Sequence, residues 1–139
     1  MTFKLPRAEV DIVIPFHDVD MMSVAWHGHY AKYFEIARCV LFDKIDYNYQ
    51  QMSDSGYAWP VIDMHIRYPK PVVFNQKVIV SAQIIEWENR LKIQYEMRDS
   101  ATGERTTRGF TTQVAVQIDN GEMCFESPPI LQQKLAQSC

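Results

Sequence analysis

The chain has 139 residues, 47% of them hydrophobic and 22% charged, which suits one folded domain spanning 1–139 and excludes a disordered segment. A net charge of −3 speaks against a dedicated nucleic-acid binder, and no apolar run approaches the roughly 18 residues that span a bilayer. Cys39, Cys124 and Cys139 are odd in number and show no CxxC spacing, which speaks against a disulfide framework or a zinc knuckle; the first residues carry no signal-like apolar core, so a cytoplasmic protein is expected.

Residues 9–16 alternate well enough for a first strand. From about Gly28 to Ile45 the period becomes helical, with Tyr30, Tyr33, Phe34, Ala37, Leu41 and Ile45 on one face. Residues 47–56 read as a helical turn stopped by Gly56. Four strands follow, over 59–68, 77–87, 90–99 and 106–119. Pro69 and Pro71 end the first of them, and Glu88-Asn89 and Ser100–Glu104 form the later turns. A last helix is expected over 128–137, with Ser127 as its N-cap and a proline just inside.

Strands joined by short turns pair antiparallel, and one long helix is available to cover a single face of their sheet. The order therefore predicts an α+β layer with four of its strands in a meander. Val61, Asp63 and His65 fall on the uncovered face, and a mixed, partly apolar open face predicts an oligomer.

The most informative segment is Phe16-His-Asp-Val-Asp20 followed by Val24-Ala-Trp-His-Gly-His-Tyr30. An acidic loop that runs into a helix start sets a carboxylate beside backbone N–H groups that have no helical acceptor. Such a pair can polarise a carbonyl and attack it, or drive water onto it. An aspartate in such a place also commonly does no more than cap a turn.

The stretch from Phe16 to Arg38, with its Asp-x-Asp, its aromatic helix entry and its Phe34-Glu-Ile-Ala-Arg38, resembles the signature of hotdog-fold acyl-CoA thioesterases of the 4-hydroxybenzoyl-CoA type. The resemblance implies the hotdog fold, an antiparallel sheet of about five strands wrapped around one long central helix. It implies hydrolysis of an acyl-CoA to a free acid and coenzyme A by a homodimer or homotetramer, with no cofactor and no metal. By the same resemblance Asp20 matches the catalytic carboxylate, as nucleophile or general base, and His27 stands where a helix-start amide faces the thioester carbonyl. Trp26 would line the acyl pocket, and Arg67, Lys70, Arg90 and Lys92 would meet the phosphates of coenzyme A. Where the family often has Pro-Ala-Gly or Ala-Gly-Gly after the second acid, this chain has Met21-Met22-Ser23.

Asp18 is expected to hydrogen-bond the loop, and Glu35 and Arg38, three apart on the helix, to pair with each other. Trp26, Tyr30, Tyr57 and Trp59 are aromatic candidates for the pocket or the core. Other readings are a non-catalytic acyl-CoA-binding module and a thioesterase acting on an acyl carrier protein. A metal site built from His17, Asp18, Asp20, His27 and His29 is disfavoured, since two histidines two apart at a helix start splay to different faces. No G-x-S-x-G occurs for a serine nucleophile.

Overall fold

A computed structural model describes residues 5–138; the start of the N-terminal segment and Cys139 lie outside them. Strand β1 (Arg7–Val13) leads through a loop to helix α1 (Tyr30–Lys44) and the short α2 (Tyr49–Asp54). Strands β2 (Tyr57–Ala58), β3 (Val61–Arg67), β4 (Lys77–Glu86), β5 (Leu91–Asp99), β6 (Arg105–Gln113) and β7 (Val116–Gln117) follow, and α3 (Pro129–Gln137) closes the chain. The main sheet is antiparallel in the order β1-β4-β5-β6-β3, with α1 laid across it. This is the hotdog fold. No helix among the described residues is long and apolar enough to cross a membrane.

All six residues expected on the buried face of α1 are enclosed. They meet Val78, Val80, Ala82 and Ile84 of β4 and Leu91, Ile93, Tyr95 and Met97 of β5, each fully buried. Burial of such a side chain contributes about 1.5–3 kcal/mol, so this two-layer contact is the main source of stability. Phe34 of α1 stacks flat on Tyr95, with ring centroids 4.5 Å apart. Gly109, directly opposite Tyr95, leaves room for this: a Cβ there would lie 2.3 Å from the His65 carbonyl oxygen and 2.8 Å from the Phe34 ring.

Several local expectations change. Four strands in simple succession do not form: β4, β5 and β6 make the meander, while β3 crosses to the far edge beside β6. The connection 68–76 carries Pro69 and Pro71 and is too long for a hairpin between β3 and β4. The last long strand ends at Gln113, and its register turns Thr107, Gly109 and Thr111 toward α1, which leaves Phe110 and Thr112 on the uncovered face. Helix α3 starts after Pro128, so Ser127 does not cap it; the buried Ser127 Oγ has no partner among the described residues, although its amide reaches the Glu88 carbonyl at 2.8 Å.

Arg38 does not pair with Glu35. It is buried, and its Nε and Nη1 donate to the hydroxyls of Tyr49 (2.9 Å) and Tyr95 (3.3 Å). Burial works against its charge, but the two tyrosines more than compensate and its pKa is raised.

Candidate active site

The loop between β1 and α1 is pinned at both ends. The amide of Ile14 donates to Gln76 and that of Asn75 to Ile14, while Ala25 donates to Val72 and Phe74 to Ser23. The loop thus rides on the 72–76 connection at one end of the sheet. Within it, the amide of Asp20 donates to the Val24 carbonyl (3.0 Å) and that of Ser23 to the Asp20 carbonyl (2.9 Å), closing a tight turn. Ser23 takes a φ of 60°, a left-handed conformation that favours glycine, and it stands where the resembling family often has one.

The two aspartates of this loop have opposite surroundings. Asp18 is 1% exposed, and its carboxylate accepts from Lys32 Nζ at 2.6 and 2.7 Å and from Tyr33 Oη at 2.8 Å. Nε2 of His17 lies 3.6 Å away and Nδ1 of His29 3.9 Å. Burial pushes the Asp18 pKa up, but Lys32 and Tyr33 outweigh it and hold the group below its ordinary range. Burial also acts on Tyr33, whose hydroxyl is held protonated well above the usual range with help from Asp18. The Asp18 carbonyl in turn accepts the Trp26 amide at 3.0 Å, so this residue fixes the helix entry as well.

Asp20 spends one carboxylate oxygen on the Met22 amide, at 2.8 Å. It lines a depression of about 260 Å³ with Val24, Ala25, Trp26, His27, Tyr30, Tyr68 and Pro71. The chain enters α1 through a 3-10 turn at His27–His29, capped by no side chain. The first two amides of that turn, on His27 and Gly28, have no acceptor among the described residues. A Cβ at position 28 would fall 2.2 Å from the half-exposed Trp26 ring, so glycine lets that ring lie over the helix start. Asp20 and His27, one of the two residues with an unfilled amide, therefore line one concave site. Together they suit a polarised carbonyl that gains negative charge when attacked. Among the described residues, no three His, Cys, Asp or Glu side chains converge as a metal ion needs.

Known proteins resemble this chain in sequence and in fold. The thioesterase-like superfamily pattern covers residues 14–136. The chain belongs to that superfamily. It is 27% identical over 128 residues to a Synechocystis protein assigned as an esterase, covering 91% of this chain and 77% of that one. A Bacillus subtilis protein assigned as an acyl-CoA thioesterase is 27% identical over 85 residues, 61% of each chain. The crystal structure of a DHNA-CoA thioesterase from Staphylococcus aureus superposes with a TM-score of 0.82 at 26% identity, over 94% of this chain and 89% of that one.

Of the residues singled out by sequence in this superfamily member, Asp20, Trp26 and His27 meet in the depression, with Tyr30. Trp59 does not line it: the indole is buried and donates to Tyr47 Oη at 3.3 Å. Tyr57 lies in β2, away from the depression. Met21 and Met22 are 102% and 80% exposed and are not among the residues that line it.

The four expected phosphate ligands do not all gather at the depression, although Arg67 and Lys92 line a common hollow of about 410 Å³ with Arg108 and Phe110. Arg67 ends β3 beside Tyr68, and Lys70 is paired to Glu104 at 2.7 Å. Lys92 sits 4.2 Å over the Phe110 ring on the uncovered face of the sheet. Arg90 pairs with Glu86 at the β4–β5 turn. That turn is a full strand length from the loop, roughly 30 Å at 3.3 Å per residue. Sequence reading missed Tyr68, which lines the depression with its ring 5.0 Å from that of Tyr30, and the Lys32 and Tyr33 anchors of Asp18. The helical spacing offered one signal: Lys32 and Tyr33 sit in the first turn of α1, next to the loop that carries Asp18.

Proposed function

We propose that this chain is an acyl-CoA thioesterase in which Asp20 and the helix-start amides of His27 and Gly28 carry the reaction. The observation that carries the reading is the shared depression: Asp20, with one carboxylate oxygen uncommitted, and His27, whose amide has no acceptor among the described residues, line it together. The thioester carbonyl oxygen takes the amides, and negative charge builds on it as the carbonyl carbon becomes tetrahedral. The Asp20 carboxylate either adds to that carbon or removes a proton from the water that does; both routes pass through the same oxyanion. The C–S bond then breaks, coenzyme A leaves as its thiolate and takes up a proton, and the acid is released after water has supplied its oxygen.

The imidazole of His27 and the indole of Trp26 form the wall of this site, with Tyr30 and Tyr68 opposite, and hold the acyl group against the helix start. Nothing in this reading calls for a metal or a cofactor.

The oligomer belongs to the same proposal. Strand β3 is an open sheet edge along its whole length, with Val61, Ile62 and Met64 37–57% exposed and no proline or lysine to blunt it. Antiparallel pairing of β3 with its copy in a second chain closes that edge. It also brings the second chain's β4–β5 turn, with Arg90, to the end of the sheet where the Asp20 loop lies. Met64→Lys should then yield a monomer with reduced turnover by sedimentation; a fully active monomeric wild type would contradict the pairing.

The direct test is thiol release from a panel of aromatic and aliphatic acyl-CoAs with wild type and Asp20→Asn. Wild-type hydrolysis with a loss of about 10²–10⁴-fold in the variant is expected, the range of a positioned acid–base group. Equal rates in the two proteins would remove Asp20 from the mechanism.

A further inference from the structure

Arg67 and Arg108 sit directly opposite each other on β3 and β6. Like charges in that position repel, and neither guanidinium has a carboxylate within ion-pair distance or a side-chain hydrogen bond among the described residues. A third arginine joins them because of a register shift. Between Met97 and Arg98 the β5–β6 pairing slips by one residue, so that Arg105 pairs with Arg98 and comes onto the same face as Arg108. Arg105 reaches Glu96 at 3.6 Å, and Glu96 is shared with Arg98, also at 3.6 Å. The three arginines, with Ile66, Tyr68 and Pro69, enclose a hollow of about 540 Å³. Tyr68 lines both this hollow and the Asp20 depression.

A chain of net charge −3 thus gathers three cations in one concavity; Glu96, the register partner of Arg108, is ion-paired to Arg98 and Arg105, and among the described residues neither Arg67 nor Arg108 has a carboxylate within ion-pair distance. Surface arginines that merely face water have no reason to be set opposite each other at a cost in repulsion. A multiply charged anion removes that cost, and the forked guanidinium matches phosphate oxygens two at a time. We propose that Arg67, Arg105 and Arg108 bind the phosphate groups of the coenzyme A thioester whose acyl end lies at Asp20. The arm of the substrate passes Tyr68 between the two hollows. This assignment rests on the thioesterase reading and deepens it. It gives the phosphate contacts to β3 and β6 of the chain that supplies Asp20, and it leaves Lys70 in its pair with Glu104.

The experiment compares wild type with the double variant Arg67→Ala/Arg108→Ala on three thioesters of one acyl group: with coenzyme A, with 3′-dephospho-coenzyme A and with pantetheine. Hydrogen bonds to charged groups contribute about 1.5–3 kcal/mol each, so the preference of wild type for the coenzyme A thioester over the pantetheine thioester should fall at least about hundredfold in the double variant, through KM. The melting temperature should hold or rise, because the repulsion is gone. An intermediate KM for the dephospho thioester in wild type assigns the cluster to the 3′-phosphate, and an unchanged one assigns it to the pyrophosphate; both support the proposal. Equal losses on all three thioesters, or no loss, overturn it. If wild type cleaves the coenzyme A and pantetheine thioesters equally well, the arginine site fails while the thioesterase reading stands. If wild type cleaves none, that reading fails, and calorimetric titration with coenzyme A decides the arginine site: binding lost in the double variant supports it, and binding absent from wild type or equal in both overturns it.

Discussion

The two halves of the β1–α1 loop are built for opposite purposes. In Phe16–Asp18 the acid is enclosed and its acceptors are filled by Lys32 and Tyr33. Two residues later the loop turns outward, and Asp20 and the amides of His27 and Gly28 are left largely without partners in the chain. Polar groups in folded proteins are normally satisfied, so the satisfied half reads as scaffold and the unsatisfied half as the place where a ligand belongs. One local sequence supplies both, which is why neither acid alone explains the site.

Substitutions in the scaffold half should cost stability, and those in the open half should cost turnover. The largest stability effect is expected for Lys32→Met, which leaves Asp18 buried with a hydrogen bond from Tyr33 and with His17 and His29 at 3.6 and 3.9 Å. The loss should be about 2–3 kcal/mol by chemical denaturation, below the cost of breaking a fully enclosed pair because Lys32 is half exposed to water and salt. The same variant should shift acid unfolding. Asp18 is held below its ordinary pKa of 3.8, so its contribution is present above that value and is lost as the pH falls through the lowered one. Without Lys32 the loss should begin at a higher pH, which circular dichroism against pH would follow.

Tyr33→Phe removes one donor from the same carboxylate and should cost about 1.5–2 kcal/mol with little change in kcat for folded protein. Gly28→Ala should do the reverse. Trp26 is half exposed and can swing aside, so stability should hold while kcat/KM falls about tenfold or more from displacement of the site wall. The smallest effect is expected for Ser23→Gly. Relief of its left-handed backbone is partly offset by the greater freedom of glycine when unfolded, leaving a gain below about 1 kcal/mol in melting experiments.

What the sequence revealed depended on distance along the chain. The buried face of α1 and the alternation of β4 and β5 are local patterns, and the structure keeps them. The grouping of Asp20, Trp26 and His27 was legible because the three lie within eight residues joined by one turn and one helix start. The Asn48 cap of α2, with Gln51 reaching back to close it, is a local N-x-x-Q signal of the same kind. Other features had no local signal. The place of β3 beside β6 and the meeting of Arg67 with Arg108 depend on strand pairing across more than forty residues, and the approach of Tyr68 to Tyr30 joins a loop to a helix far back in the chain. Arg38 illustrates the same limit: the neighbour three residues away suggested an ion pair, and partners from α2 and β5 took it instead.

The most direct test of this division sets Asp18→Asn beside Asp20→Asn, measuring thiol release from an acyl-CoA that wild type cleaves and the melting temperature of each protein. Asp20→Asn should keep the wild-type melting temperature and lose most of its kcat, while Asp18→Asn should melt earlier and retain most of its kcat below that temperature. Near-normal turnover in Asp20→Asn, or a fully folded Asp18→Asn that no longer releases thiol, would contradict the account.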